Sequence, residues 1–299
     1  MKPAATAARP RVTTRSVWRG AYWDGSVEPV DLVSASTGSG VQKGVLGDLY
    51  EWSDQIVETA DARHVVAIGA NGAGLTKLYV LDTQSGLTNS VPIGREYALA
   101  GALASGALVG ADTGGTSVLS VDVIDLATGS AVTVGTIEGI YSWTRQLALD
   151  VPRHRVYAIA SPHTDPSSTR FYSFDLSNGA STSQPLAWDV FLGGVASDGQ
   201  IVMSKNWPTS WFVGLIDPDT MAVTWKGQMG DMYAGSYLVY DPTTHVAHTV
   251  GVDQALNSYL YTFDLARNVS TKVPTKSGYV LAKRASEGAE TGNTNGDGG

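Results

Sequence analysis

A short strand-and-turn phrase returns along this chain and constrains its fold more than any other feature. Leu78–Gly86 reads LYVLDTQSG, Val121–Gly129 VDVIDLATG, Phe171–Gly179 FYSFDLSNG, Val213–Met221 VGLIDPDTM and Leu260–Asn268 LYTFDLARN. Each copy alternates like a half-buried strand, reaches an Asp and then turns. The anchors Asp82, Asp125, Asp175, Asp217 and Asp264 lie 43, 50, 42 and 47 residues apart. A degenerate sixth copy, VDLVSASTG at Val30–Gly38, puts Ser34 at the anchor, 48 residues before Asp82. In each of the five turns the Asp carboxylate is suited to accept backbone N–H groups, while in four of them Gly or Asn four residues on tolerates positive φ; the remaining one has Met221 there. A strand-built period of about 40–50 residues implies four-stranded antiparallel blades arranged in a ring.

The rest of each unit falls into place around the anchor. Two strands precede it in each of three units: Gln146–Asp150 with Val156–Ala160, Gly194–Ala196 with Gln200–Ser204, and Tyr237–Tyr240 with Val246–Val250. His64, His154 and His245 recur at the hairpin between these strands, which assigns them to the scaffold. The first copy has no innermost strand of its own, and the last is followed by an unclaimed strand, GYVLAKRA at Gly278–Ala285. Pairing the two ends removes both exposed edges. The expected fold is therefore an all-β, six-bladed β-propeller closed by a C-terminal strand joining the N-terminal blade; seven blades is the alternative division. Residues 17–285 form the propeller domain in this reading, with a flexible segment over 1–16 and a disordered tail over 286–299.

Composition agrees and excludes other classes. Charged residues make up 16% of the chain and glycine 34 of 299 residues, while 43% are hydrophobic, enough to build a core. The formal charge is −8 and the Lys and Arg residues form no run, so nucleic acid and anionic membrane surfaces are not expected partners. There is no cysteine, hence no disulfide, thiolate nucleophile or Cys-based metal site. The N-terminal residues lack an apolar signal core, which points to the cytoplasm, or to secretion if a leader has been removed.

The phrase VDVIDLATG in particular resembles the YVTN and related bacterial propeller repeats. That resemblance implies architecture alone: the YVTN tetrapeptide, the WD-repeat pairs and the sialidase Asp-box are absent. Six-bladed propellers also include gluconolactonase-, strictosidine-synthase- and phosphotriesterase-like enzymes, several with Ca²⁺ in the central channel. This chain is similar to them in blade number and in a polar ring.

In a propeller, loops entering the innermost strand and loops joining strands two and three share one face around the channel mouth, where ligands bind. The first loop set carries an aromatic at a recurring point: Tyr50, Tyr97, Tyr141, Trp188 or Phe191, Tyr233 and Tyr279. Such a series either wedges blades apart or lines a pocket. Beside it stand charges that do not repeat, including Asp48, Arg95, Glu96, Arg145 and Asp231. The second set places Asp24, Asn71, Asp112, His163, Asn206 and Asp253 just past a strand end. These are loop caps, or they converge as oxygen ligands for a hard cation such as Ca²⁺; Asn71, Asp112 and Asp253 are the candidate ligands.

The expected activity is that of an enzyme acting on a small organic or carbohydrate substrate at the mouth, by acid–base chemistry of the lyase, cyclase or hydrolase type. Tyr141, Arg145 and His163 are the candidate catalytic residues, with Asp165 beside His163. Tyr50, Tyr97, Trp188, Tyr233, Arg95, Glu96, Asp231 and Trp207 are the candidate substrate contacts. The alternative is a non-catalytic binding module, lectin-like or protein-interacting. No cofactor is required, with Ca²⁺ in the channel as the one candidate.

Overall fold

The repeated Asp does in each blade what its chemistry allows. Asp82 Oδ1 accepts the backbone N–H of Gln84 and Ser85 at 2.8 and 3.2 Å, and Asp217 Oδ1 those of Asp219 and Thr220 at 2.9 and 3.1 Å. Four residues on, the chain enters the left-handed region at Gly86, Gly129, Gly179, Met221 and Asn268. Each turn joins a blade's third and fourth strands. In blade 1 the Ser34 carbonyl still accepts from Gly38 at 2.8 Å.

The computed structural model describes residues 17–24, 27–112, 114, 117–187, 190–207 and 210–284, without the side chains of 51–54 and 142–145. Six antiparallel sheets form a propeller of six blades. The innermost strands are Val280–Leu281 in blade 1, Leu49–Glu58 in blade 2, Tyr97–Ala102 in blade 3, Ile140–Asp150 in blade 4 and Phe191–Val195 in blade 5. In blade 6 the innermost strand is split into Ala234–Gly235 and Val239–Asp241. The C-terminal strand closes the ring as expected, pairing Leu281 with Gly20 and Val280 with Ala21. Residues 1–16 and 285–299 lie outside the described residues. Among the described residues there is no helix, so none is long and apolar enough to cross a membrane. His154 and His245 sit in the hairpin turns with positive φ, their carbonyls accepting from Leu176 and Leu265. In blade 2 that position is taken by Arg63, which accepts from Thr83; His64 lies one residue further on.

The blades alternate in kind. In blades 1, 3 and 5 the register between third and fourth strands slips at Val30/Asp31, Val121/Asp122 and Val213/Gly214. The outer strands there carry Gly44, Gly135 and Gly227, spaced 91 and 92 residues apart. A Cβ at these glycines would press on Leu81, Phe174 and Phe263 of the next blade's third strand. Blades 2 and 4 keep that register. Their inner strands shift between Trp52 and Ile56 and between Trp143 and Leu147, and those of blades 3 and 5 shift as well, at Leu99/Gly101 and Leu192/Gly194. The structural repeat is thus a pair of blades, present three times.

Buried side chains form six hydrophobic clusters, one at each junction between neighbouring blades. One joins Val57 and Ile68 of blade 2 to Leu99 and Leu108 of blade 3. Another joins Trp18 and Val33 of blade 1 to Val250 and Leu260 of blade 6. Blades are held face to face by apolar contact, so the ring needs every junction filled.

At the end of the closing strand, Lys283 enters the channel. Its ammonium is fully enclosed and donates to Gln55 Oε1 (3.0 Å), Leu99 O (2.9 Å) and Leu147 O (2.8 Å), acceptors from blades 2, 3 and 4. Burial pushes its pKa down to about 7, and three acceptors for three protons favour the charged form against that cost. Next to it, Arg284 pairs with Asp241 of blade 6, bonds the Val17 carbonyl of blade 1 and stacks over Trp18 at 4.1 Å. Replacing Lys283 with Ala strands three buried acceptors and is expected to lower unfolding free energy by about 3 kcal/mol. Urea denaturation checks this; a loss under about 0.5 kcal/mol would show that closure does not depend on the ammonium.

Candidate functional site: the channel mouth

The charges of the mouth loops are organised by clasps built of one tyrosine, one aspartate and one cation. In blade 2, Asp48 enters from the loop, accepting from Tyr79 at 3.1 Å through Oδ1 and from Lys77 at 2.7 Å through Oδ2. In blade 6, Asp231 accepts likewise from Tyr261 at 3.2 Å and Lys272 at 2.7 Å. Blades 1 and 3 exchange the partners. There the third strand supplies Asp31 and Asp122, and the loop supplies Tyr279 and Tyr97. Tyr97 donates to Asp122 at 2.6 Å, with Arg95 3.7 Å away; Lys276 lies 3.5 Å from Asp31. The lysine hydrogen bonds hold Asp48 and Asp231 below the usual carboxylate range. Burial first, then the adjoining carboxylate, pushes the four phenols up, so they stay donors.

These clasps sort the aromatic series into two sets. Tyr97 and Tyr279 are each 1% exposed and act within their blades. Tyr50, Tyr141 and Tyr233 are 64%, 57% and 50% exposed, one on each even-numbered blade, 91 and 92 residues apart. Trp23, itself exposed, meets Tyr50 edge-on at 5.8 Å, and His163 meets Tyr141 edge-on at 5.6 Å. Backbone geometry fixes the second pair, because His163 N donates to Gly139 O at 2.7 Å.

The structure does not bring all the candidate residues together. Asp165 bonds Ser167 and Ser168 rather than His163. Arg95 pairs with Asp112 at 3.3 Å, and Glu96 is exposed. Trp207 packs with Phe212 and Trp225 under the Lys205 ammonium, on the third- and fourth-strand side of blade 5. Trp188 and the Arg145 side chain lie outside the described residues. Asn71, Asp112 and Asp253 each accept backbone N–H groups of their own loop, from Ala73 and Leu75, from Gly114, and from Ala255 and Asn257. Among the described residues no three His, Asp or Glu side chains converge as a ligand set. In the channel, the cation set among oxygen acceptors is the Lys283 ammonium.

One residue not singled out from sequence lies on the loop that carries Trp23. Glu28 closes the same loop as Trp23, is 1% exposed, and has Oε2 buried with no hydrogen-bond partner. Burial, reinforced by Asp24, raises its carboxyl pKa to about 7. A carboxyl that keeps its proton near neutrality is a proton donor. The sequence signal was slight, since nothing in the loop's spacing distinguishes Glu28 from the exposed Asp24.

No family model matches the chain, and no curated protein does. Several solved structures share its fold. TolB from Acinetobacter baumannii superposes with a TM-score of 0.66 at 12% identity, covering 89% of this chain, which spans 65% of the TolB chain. Hydrazine synthase from Kuenenia stuttgartiensis gives 0.53 at 13% identity over 89% of this chain and 99% of that one. A puromycin-hydrolyzing peptidase from Mycobacterium tuberculosis gives 0.53 at 14% over 88% and 44%. At these identities the likeness is one of fold, shared by propellers with and without enzymatic names.

Proposed function

We propose that the mouth face binds a small organic or carbohydrate ligand on the exposed aromatic side chains of the even-numbered blades. The observation that carries this reading is the recurrence of Tyr50, Tyr141 and Tyr233 as exposed rings while their counterparts Tyr97 and Tyr279 are buried. Tyrosine joins an apolar ring to a polar tip, which suits stacking on a sugar or another ring. Trp23 and His163 extend two of the three positions. Tyr50→Ala, Tyr141→Ala and Tyr233→Ala, tested by saturation-transfer NMR against a panel of mono- and oligosaccharides, are each expected to weaken binding about 5- to 30-fold. Their melting temperatures should stay near wild type, since exposed rings contribute little to stability. Unchanged affinity in all three variants would sink the reading.

A second reading, acid–base conversion of the bound ligand, is favoured by Glu28. In this reading Glu28, on the Trp23 loop, is the proton donor, and His163, against Tyr141, provides the base. The raised Glu28 pKa has a consequence for stability that is independent of ligand. The folded state holds the proton up to about pH 7 and the unfolded state only to about 4.5, so the contribution of Glu28 to stability is fully present below 4.5. It falls as pH rises through that window, by about 3 kcal/mol in all. Glu28→Gln is expected to flatten the fall, compared by denaturant melts at pH 4.5 and 8; a slope equal to wild type would remove Glu28 as a protonated group.

A further inference from the structure

Blade 4 retains two members of the clasp and lacks the third. On its third strand, Thr169–Asp175, Arg170 and Tyr172 occupy the positions of Lys77 and Tyr79 in blade 2. Entering the blade, LGDLY at 46–50 and MGDMY at 229–233 are answered by IEGIY at 137–141, so Gly139 stands where Asp48 and Asp231 reach in. A Cβ built on Gly139 meets nothing within 4 Å, so there is open space for a side chain at that position. Arg170 is braced against the outer strand, donating from Nε to Ser183 Oγ at 3.0 Å and from Nη2 to Ser183 O at 3.3 Å. No carboxylate pairs with it among the described residues. Its groove is lined by Thr136, Glu138, Thr164, Tyr172 and Ser183. Blade 5 differs at both clasp positions: Gly214 lies under Trp225 where blade 3 has Asp122, and buried Val190 enters where blade 3 has Tyr97.

We propose that the blade 4 groove takes a carboxylate from outside the chain, held by Arg170 and Tyr172 in the place that Asp48 and Asp231 fill in blades 2 and 6. Guanidinium and phenol present N–H and O–H donors to the two oxygens, and the hydroxyls of Thr136, Thr164 and Ser183 line the approach. The groove adjoins Tyr141 and His163 of the mouth, but the proposal does not rest on the ligand proposed there.

Acetate serves as the probe, with acetamide as the uncharged shape control, each titrated into the full chain while arginine Nε–H resonances are followed by NMR. Acetate is expected to give a saturable shift of the Arg170 signal, identified by its loss in Arg170→Gln; acetamide is expected to give none. Tyr172→Phe should weaken acetate about 3- to 10-fold through one lost hydrogen bond. Gly139→Asp puts a carboxylate at the sequence position of Asp48 and should abolish the acetate response while the Arg170 signal persists. Asp is among the residues that tolerate positive φ, so this variant is expected to fold. A shift that does not saturate, or that survives undiminished in Gly139→Asp, would overturn the proposal. So would a response seen only in Glu138→Gln, because the chain would then be filling its own groove.

Discussion

Closure of the ring depends on a buried ammonium. The terminal strand pairs with blade 1 at two residues, Val280 and Leu281, and bridges blade 2 at Lys283, a short ladder with which to secure the first and last blades. Lys283 follows at once and ties that strand to blades 2, 3 and 4, while Arg284 ties it to blades 1 and 6. Burying the two cations costs several kcal/mol each, and charge-assisted hydrogen bonds of about 1.5–3 kcal/mol return most of it. The net energy is small and of either sign, but the specificity is large. Any other placement of the terminal strand leaves an ammonium in the channel with fewer acceptors.

The period of the chain was legible because one residue type performs one local task in every copy. Asp at the end of the third strand needs no tertiary partner to cap its turn, so its signal survives in sequence. The pairing of blades was written there too, in the alternation of the 43-, 50-, 42- and 47-residue intervals. It was obscured because the diagnostic residues exchange places: Tyr79 faces Asp48, whereas Asp122 faces Tyr97. A single-column reading of either position sees an irregular mixture of Tyr and Asp; only the two columns together show the pair that blades 1, 2, 3 and 6 share.

The same exchange explains the mixed fate of the aromatic series. Where the third strand presents Asp, the loop tyrosine turns inward to meet it, as Tyr97 and Tyr279 do. Where it presents Tyr, the loop sends in an aspartate and the tyrosine two residues later faces out, as Tyr50 and Tyr233 do. Asp48, Arg95 and Asp231 stand out from sequence as charges free of the repeat, yet each belongs to a clasp the blades share. Glu28 could not be found this way, since what distinguishes it is desolvation, which no spacing encodes.

The glycines Gly44, Gly135 and Gly227 lie where an odd-numbered blade's outer strand yields to the third strand of the next blade. That contact is moulded once per pair, while the following junction lacks the notch. Two kinds of seam therefore alternate around the ring. A single blade moved to a neighbouring position would carry the wrong seam on both sides, whereas a block of two would meet matching surfaces at each end. The natural unit for transplanting or permuting this propeller is the block of about ninety residues, and a ring made from identical copies of one such block would need three.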